Sequence, residues 1–174
     1  MLREYEESNL PEYPYIRLGN LLWMKENLSI QPKEKDFVLF DAVAGLKVMP
    51  KSTCMNEKKS DCEKYGRFYD FSSALSVCPS GWRLPKNEDW MTLKGKVDSL
   101  KFANVFAGSC RKNDSGIYEC LNEGTDAIWW SDAPDGNAEN SNIILNDDNS
   151  FFYIAAEQKN DFTLHTVRCV KELN

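Results

Sequence analysis

The chain lacks several features that mark common classes of protein. No run of about 18 or more apolar residues is present, which argues against a membrane-spanning helix. The single histidine, His165, and the absence of CxxC or HxxxH groupings argue against a zinc site. No lysine and arginine stripe interleaved with aromatics appears, and the net charge of −6 repels polyanions. We therefore expect no transmembrane segment and no nucleic-acid partner.

The composition is that of a folded domain. Of the 174 residues, 42% are hydrophobic and 12% aromatic, enough for one well-buried core but too few for two comfortable domains. We predict a flexible N-terminal arm over residues 1–13, followed by a single domain over 14–174. We expect this domain to be a monomer.

Cysteine is the most informative residue type. An even number of cysteines without metal-binding spacing favours disulfides over a metal or redox site. Disulfides need an oxidising compartment, so we expect a secreted or cell-surface protein. The opening stretch MLREYEESNLPEYPY has no basic segment followed by an apolar one, so we expect the export signal to lie outside the printed sequence. The six cysteines are Cys54, Cys62, Cys78, Cys110, Cys120 and Cys169.

Two of the disulfides are suggested by local sequence. The polar segment KSTCMNEKKSDCEKYG reads as a loop, and a bridge between Cys54 and Cys62 would keep it ordered. The segment GSCRKNDSGIYEC predicts a hairpin whose ends are joined by Cys110 and Cys120.

The hydrophobic pattern predicts an α+β fold. Alternation over residues 15–24 predicts a hairpin that turns at Gly19 and Asn20. Helical spacing predicts a helix over 68–77, and a second helix begins at Asn87 with an apolar face through Trp90, Leu93, Val97 and Leu100. The pattern does not decide whether residues 38–49 form a strand or a short helix. The remaining half predicts short strands at 102–107, 116–121, 127–131, 142–146, 150–156 and 162–171.

Four segments resemble the Fibrobacter succinogenes major paralogous domain family: LGNLLWMKENL (18–28), NEKKSDCEKYGRFYDFSSALSVCPSGWRLPKNEDWMTL (56–93), AIWWS (127–131) and VRCVK (167–171). The resemblance implies a C-type-lectin-like fold in which the terminal strands pair, two helices flank antiparallel sheets, and a long loop region carries any binding site. It also implies a bridge between Cys78 and Cys169, and bacterial proteins that are secreted or displayed on the surface. In such a fold we expect Trp23, Trp82 and Trp90 to fill the core.

The most suggestive stretch for a binding site is TDAIWWSDAPDGNAENSN (125–142). Adjacent residues of a strand point to opposite faces, so one of its two tryptophans could be exposed beside a loop rich in Asp and Asn, an arrangement that binds sugars. The alternative is that both tryptophans pack inside the protein. The candidate ligand-binding residues are Trp129, Trp130, Asp132, Asp135, Asn137 and Asn140.

The same stretch, extended to Asp148, contains oxygen ligands of the kind that calcium prefers. Asp and Asn also favour turns through local hydrogen bonds, the spacing matches no EF-hand, and the Glu-Pro-Asn and Trp-Asn-Asp signatures of calcium-dependent lectins are missing. We therefore assign no cofactor and keep calcium as the alternative. Its candidate ligands are Asp132, Asp135, Asp147 and Asp148.

These observations favour a non-catalytic recognition module that binds a glycan or a surface protein through the region 122–150. A Ser-His-Asp enzyme would need His165, a strand histidine of the kind that is usually structural. The first alternative is an enzyme, either carbohydrate-active or dependent on Cys110 and Cys120, since lectin-like folds include an oxidase that uses two cysteines. The second alternative is a surface scaffold that binds no small molecule.

Overall fold

A computed structural model describes most of the chain, with the backbone alone for residues 139–141 and 152–158. Several predicted features lie outside the described residues: the arm through residue 12, the segment 38–49, residues Val97 and Leu100, and the loop positions Asp135, Asn137, Asp147 and Asp148. The described residues are 13–32, 52–94, 96, 105–132, 139–146, 152–158 and 163–173.

Within these residues the chain forms eleven strands and three short α-helices, so the mixed α+β composition is confirmed. The strands are β1 (Tyr15–Leu18), β2 (Leu21–Met24), β3 (Ser52–Thr53), β4 (Phe68–Tyr69), β5 (Ser109–Lys112), β6 (Tyr118–Leu121), β7 (Asp126–Ser131), β8 (Glu139–Asn146), β9 (Phe152–Gln158), β10 (Thr163–Thr166) and β11 (Val170–Glu172). The helices are a 3-10 turn (Met55–Glu57), α1 (Lys59–Tyr65), α2 (Phe71–Ala74) and α3 (Asn87–Met91).

The smaller sheet joins the two ends of the domain. Strands β1 and β2 form the predicted hairpin, and Gly19 in its turn has a φ of 60°, which glycine adopts without steric cost. Strand β11 pairs antiparallel with β2, with Val170 opposite Trp23. The pairing of N-terminal and C-terminal strands implied by the resemblance is thus present.

The larger sheet has the strand order β3-β4-β10-β7-β8-β9, with β5 also on β10 and β6 on β5. Its pairs are antiparallel except for the contact between β10 and β7. Strand β7 therefore lies in the interior of this sheet, between β10 and β8. Both of its faces are available for packing.

Tryptophans fill the core on both sides of β7. Trp23 and Trp90 are fully buried with ring centroids 4.9 Å apart, and Trp90 stacks on Trp129 at 5.3 Å. Trp82 is also buried, in a second cluster that contains Trp130. The prediction that Trp23, Trp82 and Trp90 belong to the core is confirmed.

The three disulfides pair as predicted. Cys54 bonds to Cys62 and Cys110 to Cys120, each within one local segment. Cys78 bonds to Cys169 across a sequence separation of 91 residues. This long bridge connects the residues after α2 to the residue that precedes β11.

The predicted helix over 68–77 is wrong in its first turn. Phe68 and Tyr69 form β4, where they pair with Thr166 and His165 of β10 and are fully buried. Helix α2 covers only Phe71–Ala74, and Leu75, which follows it, is 50% exposed. The strand forms because pairing with β10 satisfies the backbone and buries both rings, which outweighs the helical spacing.

The segment 51–66, predicted to be a loop, instead contains the 3-10 turn and helix α1. The sequence between the two cysteines is polar because most of the helix surface is exposed, while Cys62 and Tyr65 point inward three residues apart. Helix α3 begins at Asn87, as predicted, and Trp90 and Leu93 are buried.

Strands β6, β7, β8 and β9 lie where strands were predicted. The predicted strand 162–171 is divided into β10 and β11 by residues 167–169. Residues 105–107 are not part of a strand, and the rest of that predicted strand, at 102–104, is outside the described residues. None of the helices in the described part of the chain has the length and apolar character needed to cross a bilayer.

Candidate functional site

Of the two alternatives for Trp129 and Trp130, the structure shows the one in which both rings pack inside the protein. The two indoles do point to opposite faces of β7, but their exposures are 0% and 1%. The Trp129 Nε1 donates to Asn27 Oδ1 at 2.8 Å, and the Trp130 Nε1 donates to the carbonyl of Tyr69 at 2.6 Å. Because both faces of β7 are covered, each ring enters a different core cluster and offers no surface to a ligand.

Of the other predicted site residues, the structure describes Asp132 and the backbone of Asn140. Asp132 is half-buried at the end of β7, where its backbone N–H donates to the carbonyl of Pro85. Asn140 lies in β8, with its backbone opposite Glu157 of β9. Among the residues that the structure describes, no three His, Cys, Asp or Glu side chains are grouped so that they could hold a metal ion.

A polar pocket lies on a different part of the molecule, between the segment after β2 and the end of α1. Its volume is about 190 Å³. Three of its side chains, Glu26, Glu63 and Lys64, are charged and exposed at the surface. We call it the Asn27 pocket; it is lined by Glu26, Asn27, Ser29, Cys62, Glu63, Lys64, Tyr65, Gly66, Val105 and Arg168.

Asn27 organises the floor of this pocket. Its Oδ1 accepts hydrogen bonds from Trp129 Nε1 and from Arg168, whose Nε and Nη2 lie at 3.2 and 3.0 Å. Its Nδ2 donates to the carbonyl of Tyr65 at 2.9 Å. One amide side chain therefore connects β7, the C-terminal segment and the end of α1, and its position is fixed by all three.

Arg168 supplies a buried positive charge beneath the pocket. Its side chain has no exposed surface, and its guanidinium carbon lies 5.3 Å from the centre of the Trp129 ring. Burial lowers the pKa of Arg168 to about 9, while the carboxylate of Glu26 acts in the opposite direction. The guanidinium is therefore charged at neutral pH, and Glu26 above it partly balances that charge.

Gly66 allows the end of α1 to approach Asn27 closely. Its φ is 81°, and a Cβ at this position would lie 2.4 Å from the Cβ of Asn27. Any larger residue would have to displace Asn27 or the helix end. The glycine is thus needed for both its backbone conformation and its lack of a side chain.

A chain of polar contacts closes one wall of the pocket. Lys64 Nζ donates to the hydroxyl of Tyr65, which in turn donates to Glu123. The hydrogen bond to Tyr65 is the main cause that raises the pKa of Lys64. Glu123 belongs to the turn that opens the predicted binding region 122–150, so its hydrogen bond links that region to Tyr65 of the pocket.

A second, smaller depression adjoins the Asn27 pocket. It has a volume of about 60 Å³ and shares Glu26, Asn27 and Ser29 with the pocket. We call it the Tyr13 depression; its other lining residues are Tyr13, Pro14, Met24 and Leu28.

The residues considered for catalysis are engaged elsewhere. Cys110 and Cys120 are bonded to each other on facing positions of β5 and β6, and all six cysteines are in disulfides. His165 lies in β10 with 4% exposure, with its ring centre 4.3 Å from that of Trp130.

The sequence interpretation did not identify the Asn27 pocket. Eight of its ten lining residues, all except Ser29 and Val105, lie within three of the segments that carry the family resemblance, 18–28, 56–93 and 167–171, which indicated only the fold. The available signal was a set of polar residues, Asn27 and Arg168 among them, in segments that the family resemblance covers. That signal does not show which of these residues meet in space.

Comparison with known proteins supports the family assignment and adds no individual relative to it. Residues 16–100 match the family model described as the Fibrobacter succinogenes major domain. This match includes Asn27, Lys64, Tyr65 and Gly66 of the pocket, while Arg168 lies beyond it. No curated protein and no solved structure matches the chain.

Proposed function

Because residues 16–100 belong to the Fibrobacter succinogenes major domain family, we propose that this chain is a non-catalytic recognition module that binds a glycan in the Asn27 pocket. We further propose that its fold is C-type-lectin-like and that it acts outside the cell, secreted or on the surface. The terminal strands that pair in one sheet and the three disulfides support these two proposals.

The observation that carries the glycan proposal is the mixed polar character of the pocket. Glu26 and Glu63 offer acceptors at the rim, Lys64 offers a donor, and the hydroxyl of Ser29 can do both. Two acidic residues are balanced by Lys64 and the buried Arg168, so the lining has no large excess of one charge. Sugar hydroxyls need acceptors and donors together, whereas a strongly charged ligand needs an excess of the opposite sign.

The size of the pocket agrees with a small polar group. Pockets for drug-sized ligands and cofactors usually measure about 300 to 1,000 Å³. The Asn27 pocket, at about 190 Å³, is below this range. It therefore suits a single sugar unit better than a large cofactor.

Recognition without catalysis is favoured by the state of the reactive side chains. The cysteines are all in disulfides, and the histidine is covered by the Trp130 ring. A cysteine-dependent reaction would first require a reductant to open the bond between Cys110 and Cys120. A surface scaffold is the competing function, because the contacts of Asn27 also serve to hold the fold together.

The test is glycan-array binding with the disulfide-intact protein, followed by titration of the best glycan. We expect Glu63→Ala to weaken binding about tenfold or more, since a hydrogen bond to a charged group contributes about 1.5–3 kcal/mol. Glu88→Ala, which removes an exposed acid on α3 outside the pocket, is the matched control and should bind like the wild type.

A calcium chelator distinguishes this site from the calcium-dependent alternative. Binding in the Asn27 pocket should persist in the chelator, because its lining provides no grouped metal ligands among the described residues. Glycan binding that is lost when the chelator removes calcium would overturn the proposed site and would favour a site in the region 122–150. An array on which no glycan binds would favour the scaffold or a protein partner.

A further inference from the structure

We propose that the Asn27 pocket, as the inner subsite, and the Tyr13 depression, as the outer subsite, form one groove. This groove binds a glycan chain of two or more sugar units, and the ring of Tyr13 stacks on the unit in the outer subsite. This inference rests on the proposed glycan-binding function. It adds the minimal length of the ligand and the residue that recognises its second unit.

The two cavities adjoin along one short segment of chain. Glu26, Asn27 and Ser29 line both of them. Glu26 and Ser29 are exposed, whereas Leu28 between them is 3% exposed and belongs to the core. The segment thus forms a ridge whose polar side chains can contact a ligand on either side.

This ridge is held rigidly by backbone hydrogen bonds. The N–H of Leu28 donates to Val167, and the carbonyl of Leu28 accepts from the N–H of Arg67, each at 2.8 Å. At one end, the N–H of Lys25 donates to the carbonyl of Pro14 at 2.9 Å, which joins the ridge to the strand that follows Tyr13. A groove wall fixed in this way loses little conformational freedom when a ligand binds.

The two subsites differ in chemistry in a way that suits successive sugar units. The inner subsite is rich in charged and hydroxyl groups, which bind the polar edge of a sugar ring. In the outer subsite, the half-buried Tyr13 and the exposed Pro14 suit the apolar C–H face of a ring, while Met24 and Leu28, 2% and 3% exposed, belong to the core. Three extended steps from residue 26 to 29 span at most about 10 Å, more than the width of one sugar ring.

Tyr13 has the placement expected of a stacking residue. It is half-buried, and its ring meets that of Trp82 edge-on, with the centroids 6.3 Å apart and an interplanar angle of 82°. Contact with a buried tryptophan fixes the orientation of the ring while part of it stays open to solvent. A fixed aromatic ring contributes contact area at low cost in conformational entropy.

The experiment compares ligand lengths in matched variants. Using one-, two- and three-unit fragments of the glycan selected on the array, calorimetric titration of the wild type should show at least a tenfold rise in affinity from one unit to two. Tyr13→Ala should abolish this rise. Tyr13→Phe should keep the rise, because it keeps the ring, and Glu63→Ala should weaken all lengths.

The outcomes separate this inference from the function on which it rests. Equal affinity for all lengths, or a length effect that survives in Tyr13→Ala, overturns the groove and leaves single-unit recognition standing. Absence of binding by every glycan overturns both. If Tyr13→Ala fails to fold, saturation transfer from the Tyr13 ring of the wild type to the second sugar unit replaces it; transfer supports the groove, and no transfer overturns it.

Discussion

Asn27 connects three segments that are far apart in the chain, and its contacts explain why the pocket has a defined floor. The side chain joins Trp129, Arg168 and Tyr65 through four hydrogen bonds. Two of these come from the buried, charged guanidinium of Arg168, so removal of the Asn27 acceptor would destabilise the protein strongly. The floor of the pocket and the stability of the domain therefore depend on the same amide.

Replacing this amide should destabilise the protein strongly. We expect Asn27→Ala to lower the free energy of unfolding by about 3 kcal/mol, because it removes the acceptor shared by the indole of Trp129 and the guanidinium of Arg168. Urea unfolding followed by tryptophan fluorescence measures the change. Ser29→Ala, on the same ridge but exposed, should stay within about 0.5 kcal/mol of the wild type. Equal values for the two variants would contradict the role given to Asn27.

Gly66 allows a prediction with a closely matched control. Gly66 and Gly124 have φ values of 81° and 82°, but only Gly66 faces a neighbour where a Cβ would lie, Asn27 at 2.4 Å. We expect Gly124→Ala to lose about 1 kcal/mol from backbone strain alone. Gly66→Ala should lose about 3 kcal/mol or more, because the clash adds to the strain. Thermal unfolding of the two variants side by side tests the difference, and similar melting temperatures would show that the end of α1 can move away.

Among the secondary-structure elements, α3 is held to the small sheet by one ion-pair network. Arg83 contacts Asp89 of α3 at 2.6 Å and Glu172 of β11 at 2.7 Å. Asp89 also accepts a hydrogen bond from the backbone N–H of Lys86, at the start of the helix. A helix of five residues has little stability of its own, so it depends on these end contacts and on the burial of Trp90.

Loss of the Asp89 carboxylate should therefore loosen this helix. We expect Asp89→Ala to cost about 1–2 kcal/mol, from the lost N-terminal hydrogen bond and the lost pairing with Arg83. Hydrogen exchange should show faster exchange of the backbone amides of Trp90 and Thr92. Glu88→Ala, the neighbouring acid in the same first turn, is the control and should change exchange little. Unchanged protection in Asp89→Ala would mean that burial of Trp90 alone holds the helix.

The molecule as a whole is closed by the bridge between Cys78 and Cys169. This bond joins residues 91 positions apart, whereas the bond between Cys54 and Cys62 spans 8. In the chain-entropy model a longer closed loop restricts the unfolded chain more, so the two bridges differ in the stability they contribute.

Paired substitutions test this ranking. Replacing Cys78 and Cys169 together by alanine should lower the free energy of unfolding by about 4 to 5 kcal/mol, and replacing Cys54 and Cys62 by about 2.5 kcal/mol. Circular dichroism in urea measures both, and a double variant that is already unfolded in buffer counts as the larger loss. An equal or reversed ranking would show that native packing around the bridges, rather than loop length, governs their effect.

Much of the structure of this protein could be predicted from local sequence. The hairpin at Gly19, the start of α3 at Asn87 and the bridges within short segments follow from turn residues, helix-start signals and cysteine spacing, all of which act over a few residues. The alternation that sends Trp129 and Trp130 to opposite faces is likewise a property of the strand. The bridge between Cys78 and Cys169, by contrast, was predicted from the resemblance to the family.

Only the tertiary structure decided which surfaces are covered. Trp129 and Trp130 are hidden because β10 and β8 flank β7 and core residues cover both of its faces, and Phe68 and Tyr69 are a strand because β10 lies beside them. The Asn27 pocket exists because residues 27, 66 and 168 meet after folding. Burial depends on partners distant in the chain, whereas strand alternation and turn chemistry do not, so the sequence predicted the direction of each indole but not whether it reached solvent.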